Sequence, residues 1–198
     1  MIKLAVFLGN PGLKYARNRH NAGWMLADAL PCSSSLKWEK KFGGLYSCPS
    51  SVGIHFLKPL AFMNRSGGPA LAAAAFYKIK TEEIIVVQDE IELPFGTVSL
   101  KFSGGLGGHN GLRSMKACFD NADFWRLRLG IGRPDRRIPG KGGSLEGCGI
   151  ADWVLSDFTP DEEEAFAPVL TAGADLLLQA ITDDPEKLLP QWGKMNIL

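Results

Sequence analysis

Residues 84–89 read Ile84-Ile85-Val86-Val87-Gln88-Asp89. Four β-branched side chains in a row restrict χ1 and favour a pleated strand over a helix. Apolar residues at consecutive positions leave no face for water, so this strand is expected inside a sheet covered on both sides. An acid, Asp89, follows the run. Upstream, Ile2–Leu8 has the same character and ends at the turn Gly9-Asn10-Pro11-Gly12. Its apolar start is too short for a signal peptide, and a first strand is the better reading. Between these strands the sequence predicts a helix from about His20–Ala22 to Leu30, neighbouring strands at Leu45–Cys48 and Ile54–Leu57, and an Ala-rich helix over Gly67–Tyr77. Downstream come a strand at Val98–Phe102, a helix at Leu112–Phe119 and a strand at Leu127–Ile131. A long helix over Pro160–Ile181 follows, with Thr159 as N-cap and Glu162 completing a capping box. Strands alternating with helices give an α/β fold: one domain over residues 1–198, three-layer α/β/α, with a mixed, mostly parallel central sheet.

The 198 residues can bury a core without metals or disulfides. No run of about 18 apolar residues is present, so no membrane span is expected. Cys32, Cys48, Cys118 and Cys148 are scattered, with no Cys-x-x-Cys, and read as reduced thiols of a cytoplasmic protein. The net charge of +1 hides an uneven distribution: +6 over residues 1–58, +5 over 113–141 and −9 over 142–198. Such a split suits a localised basic surface for a polyanion, and equally suits charges that each solvate their own face. The Gly-, Pro- and Arg-rich segment at about 133–149 is expected to be a mobile loop.

Four polar segments stand out. Gly9-Asn10-Pro11-Gly12 lies at the carboxyl end of a strand, where open α/β sheets bind ligands, although the same residues make ordinary turns. Arg19-His20-Asn21-Ala22-Gly23 opens the first helix with an imidazole suited to proton transfer near neutral pH. Asp89, again at a strand end, is placed to fix the tautomer of a histidine and stabilise its protonated form. Gly104-Gly105-Leu106-Gly107-Gly108-His109-Asn110-Gly111 lets backbone approach a ligand ahead of a helix N-terminus. It matches neither phosphate-loop pattern, which leaves a nucleotide cofactor unsupported. No Gly-x-Ser-x-Gly and no paired metal ligands occur in the sequence, so a base-activated water is the economical hydrolytic chemistry. His55, in mid-strand, reads as packing.

In chain order these segments resemble the bacterial peptidyl-tRNA hydrolases. Leu8-Gly9-Asn10-Pro11-Gly12 with Tyr15, then Arg19-His20-Asn21-Ala22-Gly23, is similar to the family's opening signature. Lys58-Pro59-Leu60-Ala61-Phe62-Met63-Asn64-Arg65-Ser66-Gly67 resembles its second motif. Asp89-Glu90-Ile91-Glu92-Leu93-Pro94-Phe95-Gly96 with Gly107-Gly108-His109-Asn110-Gly111-Leu112 resembles the third. Arg126-Leu127-Arg128-Leu129-Gly130-Ile131-Gly132-Arg133-Pro134 matches the strand before the family's mobile loop. The resemblance implies a monomer without cofactor or metal that cleaves the ester between peptide and tRNA, with no obligate protein partner. By that likeness His20 is the general base, Asp89 orients it, and Asn10 places the reacting groups and discriminates against a free amine. Asn64 and Asn110 bind substrate beside the ester, Tyr15 and Phe62 line the groove, and Lys101 and Arg128 contact tRNA phosphates. Plant plastid splicing factors resemble the same family without hydrolysing anything; the intact His20 and Asp89 favour the enzyme. Three departures bear on tRNA binding: Arg65 where the family favours an apolar residue, the longer basic segment after Arg133, and a C-terminal segment, Leu188–Leu198, with little of the family's basic helix.

Overall fold

In the computed structural model, which describes residues 1–50, 52–134 and 149–198, one eight-stranded sheet carries the chain. The strands are β1 (Leu4–Phe7), β2 (Glu39–Lys41), β3 (Gly44–Ser47), β4 (His55–Pro59), β5 (Ile84–Glu90), β6 (Thr97–Phe102), β7 (Trp125–Gly130) and β8 (Met195–Asn196). The helices are α1 (Ala22–Ala29), α2 (Gly67–Tyr77), α3 (Asn110–Phe119), α4 (Ile150–Val154), α5 (Pro160–Thr182) and α6 (Pro185–Trp192). Strand order is β2-β3-β4-β1-β5-β7-β6-β8. The centre, β4-β1-β5-β7, is parallel, and both flanks are closed by antiparallel pairs.

Because side chains alternate across a strand, the apolar runs of β1 and β5 feed two cores at once. Ala5, Phe7, Ile85 and Val87 face Leu26 of α1 and Val169, Leu176 and Leu177 of α5. Leu4, Val6, Ile84 and Val86 face Ala70, Ala73 and Ala74 of α2 and Leu112 and Met115 of α3. All seven residues of β5 are buried. This is the three-layer α/β/α arrangement that the sequence predicts.

Helix α5 is the one described helix long and apolar enough by composition to cross a membrane, and its inner face packs on the sheet through Phe166, Val169, Leu176 and Leu177. Its start follows the predicted box: Thr159 Oγ1 accepts the Glu162 N–H at 3.3 Å, and Glu162 Oε2 accepts the Thr159 N–H at 2.8 Å. His55 packs as expected, its ring stacked 3.8 Å from Tyr77.

Five elements differ from the sequence reading. β5 runs on to Glu90, so Asp89 lies inside the strand rather than after it. The short elements β2, α4 and β8 carry no periodicity long enough to announce them. The C-terminal residues form α6 and then close the β6 edge as β8, with Thr97 opposite Asn196. Of the expected loop at about 133–149, residues 135–148 lie outside the described residues.

Candidate active site

The carboxyl ends of β1 and β5 meet the start of α1, and glycine makes that approach possible. A Cβ on Gly23 would lie 2.5 Å from the Leu8 carbonyl oxygen and 2.6 Å from that of Val87. With no side chain there, the residues just before α1 reach the end of β5. Asn21 fixes the turn: its Oδ1 accepts the Asn10 N–H at 2.8 Å and its Nδ2 donates to the Asn10 carbonyl at 3.0 Å. Asn10 Oδ1 in turn accepts the Met63 N–H at 2.8 Å, holding the one-turn 3-10 segment Met63–Arg65 that carries Asn64.

His20, buried before α1, meets Asp89 with Nδ1 at 2.8 Å from Oδ1. The same oxygen lies 3.0 Å from Nε2 of His109, and the two imidazole rings are 4.8 Å apart. His109 is also the N-cap of α3. Its Nδ1 accepts the N–H groups of Gly111 at 3.1 Å and Leu112 at 3.4 Å. A nitrogen that accepts carries no proton, so His109 holds its N–H on Nε2, aimed at Asp89. Burial alone would raise the Asp89 pKa, but the two imidazoles outweigh it and hold the carboxyl well below the usual range. Burial likewise disfavours a charged His20, and the Asp89 carboxylate outweighs it, so the His20 pKa is raised above 6.5. With an ionised carboxylate on Nδ1, the proton sits there and Nε2 keeps its lone pair.

Two adjoining chambers open on His20. One, about 350 Å³, is lined by His20, Asp89, Glu90, Asn110, Arg113 and Arg133 among others. The second, about 280 Å³, is lined by Asn10, His20, Phe62, Met63, Asn64 and Asn110. Ala151 and Val154 of α4 wall both. That wall is tied to the residue before the base: Arg19 Nη2 donates to both Glu162 carboxylate oxygens at 2.8 and 2.6 Å, its Nη1 donates to Ser156 Oγ at 2.9 Å, and the guanidinium stacks 3.9 Å from the Trp153 ring.

The predicted residues His20, Asp89, Asn10, Asn64, Asn110 and Phe62 therefore meet at one place. Tyr15 adjoins through an edge-to-face contact with Phe62, with centroids 6.3 Å apart. Lys101 and Arg128 stand apart from the chambers. Lys101 is exposed beside Gly104, as expected for a strand end next to the glycine loop. Arg128 is in mid-strand and half-buried. Its guanidinium donates to Ser99 Oγ at 2.6 Å and lies 3.8 Å from Glu90, so it is not the free cation the sequence suggests. The sequence reading missed His109 as a partner of Asp89. Its signal is a histidine at the N-terminal edge of a predicted helix, set among glycines that suit a ligand-binding loop equally well.

His20, Asp89 and His109 also form the one described cluster with metal-ligand chemistry, their ligand atoms within 4.8 Å of one another. The separations fit hydrogen bonds better. Ligands of a tetrahedral ion with bonds of about 2.0 Å sit about 3.3 Å apart, wider than both contacts here. One Nδ1 is moreover engaged in capping α3.

The sequence pattern of the peptidyl-tRNA hydrolase family matches residues 4–196. Peptidyl-tRNA hydrolase of Treponema pallidum (strain Nichols) is 46% identical over 205 residues, covering 100% of this chain and 97% of that protein. A crystal structure of a point mutant of peptidyl-tRNA hydrolase from Acinetobacter baumannii superposes with a TM-score of 0.83 at 28% identity, over 97% of this chain and 94% of that one. Another crystal structure of the A. baumannii protein gives 0.74 at 32% identity, over 97% and 92%. With a matching sheet, a matching sequence and a buried His–Asp pair at the strand ends, the chain belongs to the peptidyl-tRNA hydrolase family and is an enzyme of the hydrolase class.

Proposed function

We propose that this chain hydrolyses the ester joining a peptide, or an N-blocked amino acid, to the 3′ end of tRNA, using water activated by His20 and forming no covalent intermediate. The observation that carries the reading is the 2.8 Å contact from His20 Nδ1 to a buried Asp89 carboxylate. It leaves Nε2 as the nitrogen available to water in the chambers. Nε2 takes a proton from that water as the oxygen attacks the ester carbonyl carbon. The carbonyl oxygen gains negative charge, the bond to the ribose oxygen breaks, and the proton held on His20 passes to that oxygen. Asp89 stabilises the transient imidazolium and is itself steadied by His109.

Asn10, Asn64 and Asn110 supply neutral donors and acceptors that do not titrate, suited to a peptide backbone and a developing oxyanion. With Asn10 Oδ1 occupied by the Met63 N–H, its amide NH2 is the group left to meet substrate and to tell a blocked amine from a free one. Tyr15 and Phe62 line the groove for the peptide and tRNA end. The absence of a covalent step is supported by the chamber walls: no Ser, Thr, Cys or Lys is among the described lining residues. Lys101 is the phosphate contact nearest to free, and Arg128 joins it once its own ion pair opens. We further read the chain as a single domain over 1–198, a cytoplasmic monomer without cofactor, metal or obligate protein partner.

The test is peptide release from N-blocked aminoacyl-tRNA by wild type and His20→Ala, with and without a chelator. General-base help is worth about 10²–10⁴ in rate, so the variant is expected to fall by that order. Full activity in His20→Ala would end the assignment, and loss of wild-type activity on chelation would replace it with metal chemistry at the same cluster.

A further inference from the structure

The neighbouring acids Asp89 and Glu90 point to opposite faces of the sheet, as alternation requires. Asp89 serves the two histidines, whereas Glu90 has no part in the hydrolytic steps. The register places Val86 opposite Arg126, Gln88 opposite Arg128, Lys101 opposite Arg126 and Ser99 opposite Arg128, so Glu90 shares its face with Lys101, Arg126 and Arg128. Arg126 is buried and spends its guanidinium on the glycine loop, donating to the carbonyls of Gly105, at 2.8 Å, and Ser103. Arg128 is held by Ser99 and faces Glu90 Oε2 at 3.8 Å. Buried Nε atoms of both arginines lack a partner among the described residues. Burial lowers the pKa of all three cations, repulsion from Arg128 adds to this for Lys101 and Arg126, and Glu90 is the acid that opposes it. The strip thus holds three positive charges against one negative, and of these four residues Glu90 alone lines the larger chamber.

We propose that Glu90 is the internal counter-charge of this strip, competing with an RNA phosphate for Arg128 so that deacylated tRNA is released. The proposal rests on the hydrolytic reading above. Cleaving the ester leaves every phosphate of the tRNA in place, so a clamp without a competing anion would hold product as firmly as substrate. Product release then limits turnover. The Glu90–Arg128 pair is suited to exchange. Its 3.8 Å separation is longer than a charge-assisted hydrogen bond, and an incoming phosphate oxygen can do better. The hydrolytic steps assign Glu90 no proton or bond; it is a positioning residue acting through Arg128.

The experiment uses the full chain as wild type, Glu90→Gln, Glu90→Asp, Arg128→Ala and the double variant Glu90→Gln/Arg128→Ala. Affinity for deacylated tRNA and for poly-uridylate is read by fluorescence anisotropy at fixed salt, and turnover by pre-steady-state release from N-blocked aminoacyl-tRNA. Glu90→Gln is expected to bind both RNAs about tenfold tighter, the scale of one charge pair at an interface edge. It should also show a burst followed by a slower steady rate. Glu90→Asp should stay near wild type, and the gain should vanish in the double variant. A merely structural role for Glu90 would weaken binding, so unchanged or weaker affinity in Glu90→Gln overturns the proposal. A gain that survives without Arg128 overturns it too. A wild type that binds tRNA but hydrolyses nothing would sink the hydrolytic reading instead, while the binding comparison would still report on Glu90.

Discussion

Replacing Asp89 by Asn keeps the shape of the site and removes its charge. In the wild type, Oδ1 receives two N–H groups, from His20 at 2.8 Å and His109 at 3.0 Å. Hydrogen bonds to a charged partner are worth about 1.5–3 kcal/mol net, and neutral ones about 0.5–1.5 kcal/mol. Only the bond to His20 strengthens as the ring takes its proton, so the loss in transition-state stabilisation is about 1–1.5 kcal/mol, or about tenfold in kcat/KM. An amide that turns its NH2 toward Nδ1 would put the wrong nitrogen in the chamber, and the loss would then approach about 10⁴-fold. The pH profile separates these effects from simple misfolding. A general base must be neutral, so activity falls as pH drops through the His20 pKa, which Asp89 raises above 6.5. Without that charge only burial acts on the ring, and the acid limb should move below 6.5. The assay is kcat/KM for N-blocked aminoacyl-tRNA from about pH 5 to 9, which brackets an ordinary imidazole pKa. Activity within about threefold of wild type, or an acid limb that does not move, would refute the His20–Asp89 mechanism.

Three more outcomes are expected. His109→Ala removes both the second bond to Asp89 and the α3 cap, costing about 1–2 kcal/mol of stability by thermal unfolding and about tenfold in rate. His109→Asn should restore the cap and the melting temperature but not the rate; equal recovery of both would reduce His109 to a cap. Lys101→Ala should weaken tRNA binding and lower the salt slope by about one, and an unchanged slope removes Lys101 from the phosphate contacts. Gly23→Ala drives a methyl group into two backbone carbonyls 2.5 and 2.6 Å away. Overpacking against backbone that cannot yield should destabilise the fold by about 3 kcal/mol in denaturant, and a near-neutral result would mean α1 shifts freely.

The larger elements were legible because each carries a local reason to form. Gly67–Tyr77 is built around a run of good helix formers, Ala70–Ala75, and is helical over that range. Helix α5 begins where Thr159 and Glu162 can cap it. Asn10, His20 and Asp89 were legible as a candidate site in part through the carboxyl-end rule for α/β sheets, whereas Asn64 and the roles of Asn10 and Asn110 were legible only through the resemblance to the family's motifs. Neither route reaches contacts made only by folding. Arg128 reads as a basic side chain in any sequence, and its pairing with Glu90 and Ser99 exists because β5, β7 and β6 are neighbours. His109 sits 20 positions from Asp89, and only the entry of α3 over the end of β5 brings them within 3.0 Å.

The end of β5 shows why a polar tail hides a strand. Gln88-Asp89-Glu90 carries the composition of a solvated turn, and on composition alone the strand would stop at Val87. The chain stays extended because pairing with β7 continues, Gln88 with Arg128, Asp89 with Leu129 and Glu90 with Gly130. Within a sheet the backbone groups are satisfied by neighbours whatever the side chains are, so polarity does not end the strand. Polarity instead decides what each face is for. One residue of extension aims Asp89 at the histidines and the next aims Glu90 at the arginines. Had the strand ended at Val87, both carboxylates would lie in a flexible turn, and neither imidazole nor guanidinium would meet a fixed partner.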